Sequence, residues 1–423
     1  MTSRRVLITG LSTYWGGRLA QALEADPRFE AIIGVDKTPP KVELQRTEFV
    51  RVVDRRSLIR RIVEAAEIDT VVDTRLVVDS IVTAPRLAHE NNVIGTMNIL
   101  AACDGPDSPV RKVVFKSSAH FYGAEQDDPA YFTEDIDRPH PPRTPLERDI
   151  VEADAAVRDF AARQPEASVT VLRFANGLGP ALRTSHTTLF DRALVPVILG
   201  FDPRYQFVHE DDIAGCLEHA VVNDLDGVYN CAADGVLVLS EVLDLLGKQA
   251  LPILPPLGTG LAASALRRAG VHIPPEMLNQ LRFGRALDNR KLKATGYRYR
   301  YTTRETVLKL REHQRVAPLL RGSGESYRYE EEVEEFLRYS PSVRSVERDA
   351  GRRLVNAPAG QGGAATAQGS QVTVYADLRD EEVVALLPSL GAADLRELRD
   401  HERSHAGRTG VLDAIDRILE RQP

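Results

Sequence analysis

An alternation of short apolar runs with helical patterns is the feature that most constrains the fold of this chain. The apolar runs lie at residues 6–9, 31–35, 49–53, 71–72, 113–115 and 169–173. Stretches of helical periodicity separate them, for example at residues 16–23, 96–102 and 151–162. Short apolar runs between helices are typical of parallel strands that are buried on both faces. The pattern therefore predicts an α/β protein with a doubly wound parallel sheet.

The composition changes along the rest of the chain. Pro and Gly become frequent within residues 176–310, which indicates a smaller, substrate-side lobe of one domain that spans residues 1–315. Residues 316–349 are predicted to form a helical extension. Residues 350–371 are predicted to form a flexible linker, because residues 357–365 within them are small and lack bulky apolar side chains. Three short helical patterns in residues 372–423 predict a small helical module, a C-terminal helical appendage.

Composition and charge exclude several classes of protein. The 43% hydrophobic and 27% charged residues are typical of a globular chain, and its Arg-rich, Lys-poor composition is typical of GC-rich bacterial genomes. The net charge of -7 argues against general binding to nucleic acid or to an acidic membrane surface. No apolar run reaches the ~18 residues of a membrane helix. Without a recognisable signal peptide, we expect a cytoplasmic protein.

No metal site is expected. The three cysteines form no Cys-x-x-Cys pair, so they are predicted to be buried free thiols. Residues 401–405 fit the zinc pattern His-Glu-x-x-His, but Arg403 puts a charge between the two potential ligands. An exposed helix face is the better explanation for that segment.

A glycine-rich turn follows the first apolar run. It reads Gly10-Leu11-Ser12-Thr13-Tyr14-Trp15-Gly16 and leads from a predicted strand into a predicted helix. Such a turn lets the backbone approach a pyrophosphate, and the helix N-terminus supplies N–H groups for it. Asp36 ends the next strand, at the position where an acid binds the ribose 2′-hydroxyl and repels the extra phosphate of NADP.

These features predict NAD as the cofactor. The alternative is a turn of the same kind that has lost its ligand. The cofactor contacts predicted in this part of the chain are Gly10, Ser12, Thr13, Tyr14, Trp15, Gly16, Asp36 and Lys37. Thr13 stands where this kind of turn usually has glycine.

Further motifs follow in order along the chain. They are Asn-Val-Ile-Gly-Thr-Met-Asn at 92–98, Val-Val-Phe-Lys-Ser-Ser-Ala-His-Phe-Tyr-Gly at 113–123, Leu-Arg-Phe-Ala-Asn-Gly-Leu-Gly-Pro at 172–180 and Phe-Val-His-Glu-Asp-Asp at 207–212. Together with the glycine turn, they resemble the extended short-chain dehydrogenase/reductase superfamily, and within it the NAD-dependent epimerases and dehydratases related to UDP-galactose 4-epimerase. The resemblance covers residues 5–312.

The resemblance implies a Rossmann fold, a nucleotide-sugar substrate and a possible homodimer. It implies a catalytic role for Ser118 and substrate contacts for Asn176 and His209. It also implies further cofactor contacts, at Asp54, Arg55, Thr74, Arg75, Asn92 and Ser117.

The chain departs from the family at its acid–base pair. Family members carry Tyr-x-x-x-Lys on one helix, where the lysine lowers the tyrosine pKa so that the phenolate can take a hydroxyl proton. Leu146 and Ile150 stand at the matching positions, and neither side chain can carry a proton. Loss of such a general acid/base lowers a rate by about 10²–10⁴-fold.

Lys116 leaves two interpretations open. It lies two residues before Ser118, so both side chains should project to the same face of the strand. It replaces the missing lysine near the nicotinamide ribose, or it is a surface-reaching or ion-paired lysine. Tyr122 is a conceivable substitute acid, and Arg75 would bring charge to the pyrophosphate or the nicotinamide.

Three hypotheses for the function follow. The first is an NAD-dependent enzyme of the epimerase/dehydratase type that acts on a nucleotide sugar. The second is a non-catalytic NAD-binding regulator or scaffold, which docks a protein partner through the C-terminal helices. The third is an enzyme with rearranged chemistry that uses Lys116, Tyr122 or Arg75.

Overall fold

The computed structural model describes residues 4–52, 56–81, 83–105, 108–253, 274–320, 399, 403 and 409–419. The chain divides into two compact units, Met1–Tyr327 and Arg328–Pro423. The predicted linker at 350–371 and most of the predicted C-terminal module lie outside the described residues.

Thirteen strands lie in the described part of the first unit. They are β1 (Arg5–Thr9), β2 (Ala31–Asp36), β3 (Glu48–Arg51), β4 (Thr70–Asp73), β5 (Lys112–Ser118), β6 (Ser168–Phe174), β7 (Asn176–Leu178), β8 (Leu194–Ile198), β9 (Arg204–Tyr205), β10 (Phe207–His209), β11 (Gly227–Cys231), β12 (Leu237–Val238) and β13 (Gln249–Ile253).

The described α-helices are α1 (Tyr14–Glu24), α2 (Arg56–Ala65), α3 (Pro85–His89), α4 (Thr96–Cys103), α5 (Pro145–Arg163), α6 (Ser185–Phe190), α7 (Glu210–Val222), α8 (Leu239–Leu246), α9 (Pro275–Gln280), α10 (Arg290–Ala294), α11 (Thr303–Leu320) and, in the second unit, α12 (Thr409–Leu419). A π-helical segment, Glu90–Gly95, joins α3 to α4. Among the described helices, none is both long and apolar enough to cross a bilayer.

Seven strands form one central sheet in the order β11-β6-β5-β4-β1-β2-β3. Every neighbouring pair is parallel. The chain leaves β1 toward β2 on one side and later returns toward β4 on the other, so the topological switch point lies between β1 and β4. This architecture confirms the predicted doubly wound Rossmann sheet.

The central strands are apolar because helices cover both faces of the sheet. Val6, Leu7 and Ile8 of β1 have no exposed surface. Helices α1 and α7 pack against each other in one layer, and α2, α4 and α5 pack in another. Adjacent residues of a strand point to opposite faces, so each central strand contributes side chains to both layers. That arrangement requires the continuous apolar runs seen in the sequence.

A second apolar core belongs to the smaller lobe. It includes Phe190, Phe207, Leu243 and Val307, all buried. Three short strand pairs surround it: β10 with β7, β12 with β9 and β13 with β8. The lobe is therefore built by residues from several separate segments, which explains the looser sequence pattern after residue 176.

A buried ion pair joins the sheet to α5. The guanidinium of Arg173, which is 2% exposed, lies 2.7 Å from the carboxylate of Asp154, which is fully buried. Ser117 donates a hydrogen bond of 2.9 Å to the same carboxylate. The Arg173 guanidinium also lies 3.5 Å from the centre of the Phe121 ring. The pair thus fixes β5, β6 and α5 at the face of the sheet away from α1.

We predict that Asp154→Ala destabilises the first unit by about 3–5 kcal/mol, because it leaves the Arg173 charge buried without its partner. Urea unfolding followed by circular dichroism measures this change. Asp159→Ala removes an exposed carboxylate from the same helix and should change stability by less than about 0.5 kcal/mol. Equal stabilities of the two variants would contradict the role assigned to the pair.

Candidate functional site

The glycine turn brings the start of α1 against the end of β1. A Cβ atom on Gly16 would lie 2.2 Å from the carbonyl oxygen of Gly10, a contact that backbone atoms cannot relieve. Gly10 itself has a φ of +82°, and a Cβ there would lie 2.6 Å from Cγ of Arg75. Both positions therefore require glycine, as expected for a turn that carries a ligand close to its backbone.

Thr13 caps α1 with its side chain. Its Oγ1 accepts a hydrogen bond from the Gly16 N–H at 3.0 Å and donates one to the Gly10 carbonyl at 2.7 Å. Within the part of the chain that the structure describes, the N–H groups of Tyr14 and Trp15 have no hydrogen-bond partner. Unpaired N–H groups in the first turn of a helix are donors suited to a phosphate. The threonine thus leaves these two donors available.

Asp36 lies at the end of β2 beside the turn. Its carboxylate accepts hydrogen bonds from Ser12, 2.9 Å from the backbone nitrogen and 2.6 Å from Oγ, and from the backbone nitrogen of Lys37 at 2.6 Å. A carboxylate has further acceptor capacity beyond these bonds. An oriented acid beside free helix donors fits the ribose and the pyrophosphate of a dinucleotide with an unmodified 2′-hydroxyl. Asp54 and Arg55 lie outside the described residues.

Arg75 is part of an ion pair at the end of β4. Its guanidinium binds both carboxylate oxygens of Asp73, at 3.0 and 2.9 Å. Asp73 also accepts a 2.9 Å hydrogen bond from Thr9 Oγ1. The expected charge beside the turn is therefore present, but it is already paired with a carboxylate.

Three predicted cofactor contacts have side chains that hydrogen-bond to the scaffold, and their contacts with a cofactor stay predictions. Thr74 is buried and donates to the Thr9 carbonyl at 2.9 Å. The fully buried Asn92 amide makes two hydrogen bonds of 2.7 Å with the backbone of Val77. Ser117 faces Asp154, on the opposite side of β5 from Lys116. The sequence motif identified these positions, but the direction of each side chain depends on the packed fold.

Lys116 is buried on the α1 side of β5. The residue is 4% exposed, and its Nζ lies 5.4 Å from the Trp15 ring centre and 5.9 Å from that of Phe174. Its nitrogen forms no hydrogen bond or ion pair with any described residue. Burial lowers its pKa from 10.5 to about 8, although the charge of Asp73 opposes the shift. The interpretation as a surface-reaching or ion-paired lysine is therefore wrong.

Tyr122 is enclosed in the protein interior. It is 1% exposed, and its hydroxyl accepts from Arg173 at 3.0 Å and donates to Asn230 at 2.9 Å. Burial raises its pKa. A phenol enclosed in this way cannot exchange a proton with a substrate, so its interpretation as a substitute acid is wrong.

Ser118 and Asn176 line one polar cleft at the carboxyl end of the sheet. Other residues that line it are Asp79, His120, His186, Glu276 and Gln280. Ser118 Oγ lies 2.9 Å from Nδ1 of His120, whose Nε2 lies 2.8 Å from the Gln280 amide. Of these five residues, only His120 lies in a sequence motif, two residues after Ser118. The other cleft residues come from distant segments that carry no motif.

Two polar atoms of the cleft are buried without a partner among the described residues. They are Nε2 of His186 and Oε1 of Gln280. Buried polar groups are normally hydrogen-bonded. These atoms are therefore available to the hydroxyl groups of a bound ligand.

His209 caps a helix rather than lining this cleft. Its Nδ1 accepts from the Asp211 N–H at 3.2 Å, and its ring centre lies 4.4 Å from that of Tyr301. Burial lowers its pKa. The other ring nitrogen, Nε2, is buried without a partner among the described residues, so the substrate contact at His209 stays a prediction beside its structural role at the start of α7.

Three potential metal ligands lie together away from the cleft. Donor atoms of His89, Asp149 and Glu152 are within 4.8 Å of one another. His89 and Asp149 already form a 2.7 Å hydrogen bond, and the side chains of His89 and Glu152 are exposed. A surface ion pair accounts for the group.

Comparison with known proteins identifies the family. Residues 6–232, which include the turn, Ser118 and Asn176, match the NAD dependent epimerase/dehydratase family. The chain belongs to this family. An uncharacterized protein of Mycobacterium tuberculosis is 35% identical over 312 residues, covering 71% of this chain and 81% of the relative. Another, of Sinorhizobium fredii, is 26% identical over 328 residues, covering 72% and 77%.

Solved structures share the fold. The UDP-glucose 4-epimerase of Thermotoga maritima with UDP-glucose has a TM-score of 0.57 at 19% identity, covering 74% of this chain and 99% of that chain. The dTDP-glucose 4,6-dehydratase DesIV of Streptomyces venezuelae, with NAD and TYD bound, has a TM-score of 0.55 at 21% identity, covering 74% and 97%.

Glu210 was not identified from the sequence, yet it lies against the turn. Its carboxylate accepts from the Ala181 N–H at 3.0 Å, and its charge acts on the Tyr14 hydroxyl. Burial raises the pKa of Tyr14 to about 12 and that of Glu210 to about 7. The residue thus lies between the first turn of α1 and the loop after β7.

We predict a pH-dependent stability from Glu210. Its pKa rises from 4.5 to about 7 on folding, so the folded state binds this proton more tightly. The stabilisation is complete below pH 4.5 and is lost as the pH rises to 7. Urea unfolding across this range gives the free energy of unfolding as a function of pH. Glu210→Gln should flatten the slope of this free energy against pH, whereas Glu218→Gln on the same helix should not. Equal slopes for wild type and Glu210→Gln would contradict this assignment.

Proposed function

We propose that this chain binds NAD along the carboxyl edge of the sheet and a nucleotide sugar in the adjacent cleft. The observation that carries the proposal is that an oriented acid, Asp36, lies beside the N–H groups of Tyr14 and Trp15. These two groups have no hydrogen-bond partner among the described residues. When bound, NAD would supply an acceptor for a hydride.

The strand order supports one orientation of the dinucleotide. Its pyrophosphate would lie at the start of α1, directly after β1. Asp36 on β2 would then accept from the adenosine ribose. Because β4 and β5 lie on the other side of β1, the nicotinamide half would extend toward them. Ser118, at the end of β5, is thus next to the expected reactive ring.

A nucleotide sugar is supported by the cleft and by the related structures. The solved epimerase contains UDP-glucose, and related dehydratases act on dTDP-glucose. In this chain, Ser118, Asn176, His186 and Gln280 offer polar atoms to a sugar at the cleft. Ser118 would orient a sugar hydroxyl, as its family position implies.

The lack of a suitable acid–base pair among the described residues of the site supports a second function. Leu146 and Ile150 are 5% and 0% exposed and belong to the apolar core. Burial and the charge of Arg285 hold the pKa of His120 well below 6.5, so this imidazole is a poor replacement base. We therefore propose, as the alternative, a non-catalytic NAD-binding regulator or scaffold. Docking of a partner through the C-terminal helices and formation of a homodimer stay predictions.

We predict that Asp36→Ala weakens NAD binding about tenfold or more, because it removes the ribose acceptor. Calorimetric titration of nucleotide-free protein with NAD⁺ and NADP⁺ measures the change. The wild type should prefer NAD⁺, and the variant should lose this preference. Glu64→Ala, an exposed change on α2, serves as the control. An unchanged affinity in Asp36→Ala would contradict the cofactor assignment.

Catalysis is tested separately. The wild type is incubated with NAD⁺ and a panel of UDP- and dTDP-sugars, and the products are resolved by chromatography. Conversion that is lost in Ser118→Ala would support the enzyme. Tight NAD binding without any conversion would favour the regulator.

A further inference from the structure

The buried ammonium of Lys116 has a position that the proposed function does not explain. This side chain projects from β5 into the layer that contains α1. Two aromatic rings flank it, Trp15 from the glycine turn and Phe174 from the end of β6. A buried charge usually has an ion-pair partner, yet Lys116 has none within the described part of the molecule.

The charge of Asp73 acts on Lys116 but does not neutralise it. Asp73 raises the lysine pKa through its charge, but it is not within ion-pair distance. The same carboxylate is bound on both oxygens by Arg75. Lys116 therefore contributes a net positive charge to this end of the groove, which is the proposed NAD site along the carboxyl edge of the sheet. With a pKa of about 8, it is still mainly protonated at neutral pH.

The charge lies in the half of the groove expected to hold the nicotinamide. Trp15 belongs to the helix turn that would bind the pyrophosphate, and β5 lies on the side of β1 opposite to Asp36. The two redox forms of the cofactor differ here by one charge. The oxidised nicotinamide ring is a cation, and the reduced ring is neutral. Their adenosine and pyrophosphate parts are the same.

We propose that Lys116 makes this groove bind NADH in preference to NAD⁺. A cation held in a poorly solvated site repels a second cation much more strongly than it would in water. It has no comparable effect on a neutral ring. This inference rests on the proposed NAD binding and assigns the site a preferred redox state, suited to a protein that retains or senses the reduced nucleotide.

Calorimetric titration with NAD⁺ and with NADH at neutral pH tests the proposal. The measured quantity is the ratio of the two dissociation constants. We expect wild-type protein to bind NADH at least about tenfold more tightly than NAD⁺. Lys116→Met removes the charge but keeps an unbranched side chain of similar length, and it should bring the ratio close to one. Lys116→Arg keeps the charge and should keep the preference.

A second lysine provides the matched control. Lys37 follows Asp36 and is exposed near the adenosine side. Lys37→Met should change both affinities equally and leave the ratio at its wild-type value. Thermal unfolding verifies that each variant is folded.

Two different results would contradict the preference for NADH and the proposed NAD binding on which it rests. The same ratio in wild type and folded Lys116→Met would overturn the role of Lys116 while leaving NAD binding intact. Absence of binding of either nucleotide to folded wild-type protein would overturn the proposed function itself.

Discussion

The close approach of Gly16 to the carbonyl of Gly10 is the constraint on which the site depends. It sets the start of α1 directly on the end of β1, with room for no side chain. Thr13 then caps the helix turn with its side chain. The consequence is a pair of N–H groups, without partners among the described residues, beside an oriented carboxylate. Such preorganisation allows a loop to bind a phosphate group without a large cost in ordering.

The two faces of strand β5 carry residues with different roles. Ser117 points toward the buried pair of Asp154 and Arg173, which stabilises the fold. Lys116 and Ser118 point the other way, toward the expected nicotinamide and the cleft. A strand with both faces covered can therefore contact a structural ion pair on one face and carry a cation on the other, through two consecutive residues.

Local patterns predicted the fold and the turn, because strand burial and glycine geometry are set by neighbouring residues. The sequence therefore identified the parallel sheet and the steric need for Gly10 and Gly16. It failed for Tyr122, whose hydroxyl orientation depends on its contact with Arg173. Cleft residues from distant segments could not be predicted, because only the folded chain brings them together.

The central claim is that a dinucleotide lies across the turn with its nicotinamide end toward Trp15. Trp15 is the single tryptophan of the chain, so its fluorescence reports on this position alone. Titration with NADH should give saturable quenching of Trp15 emission together with sensitised NADH emission, at the affinity found by calorimetry. Trp15→Phe should abolish the sensitised signal while binding persists. NADH binding that leaves Trp15 emission unchanged would contradict the account.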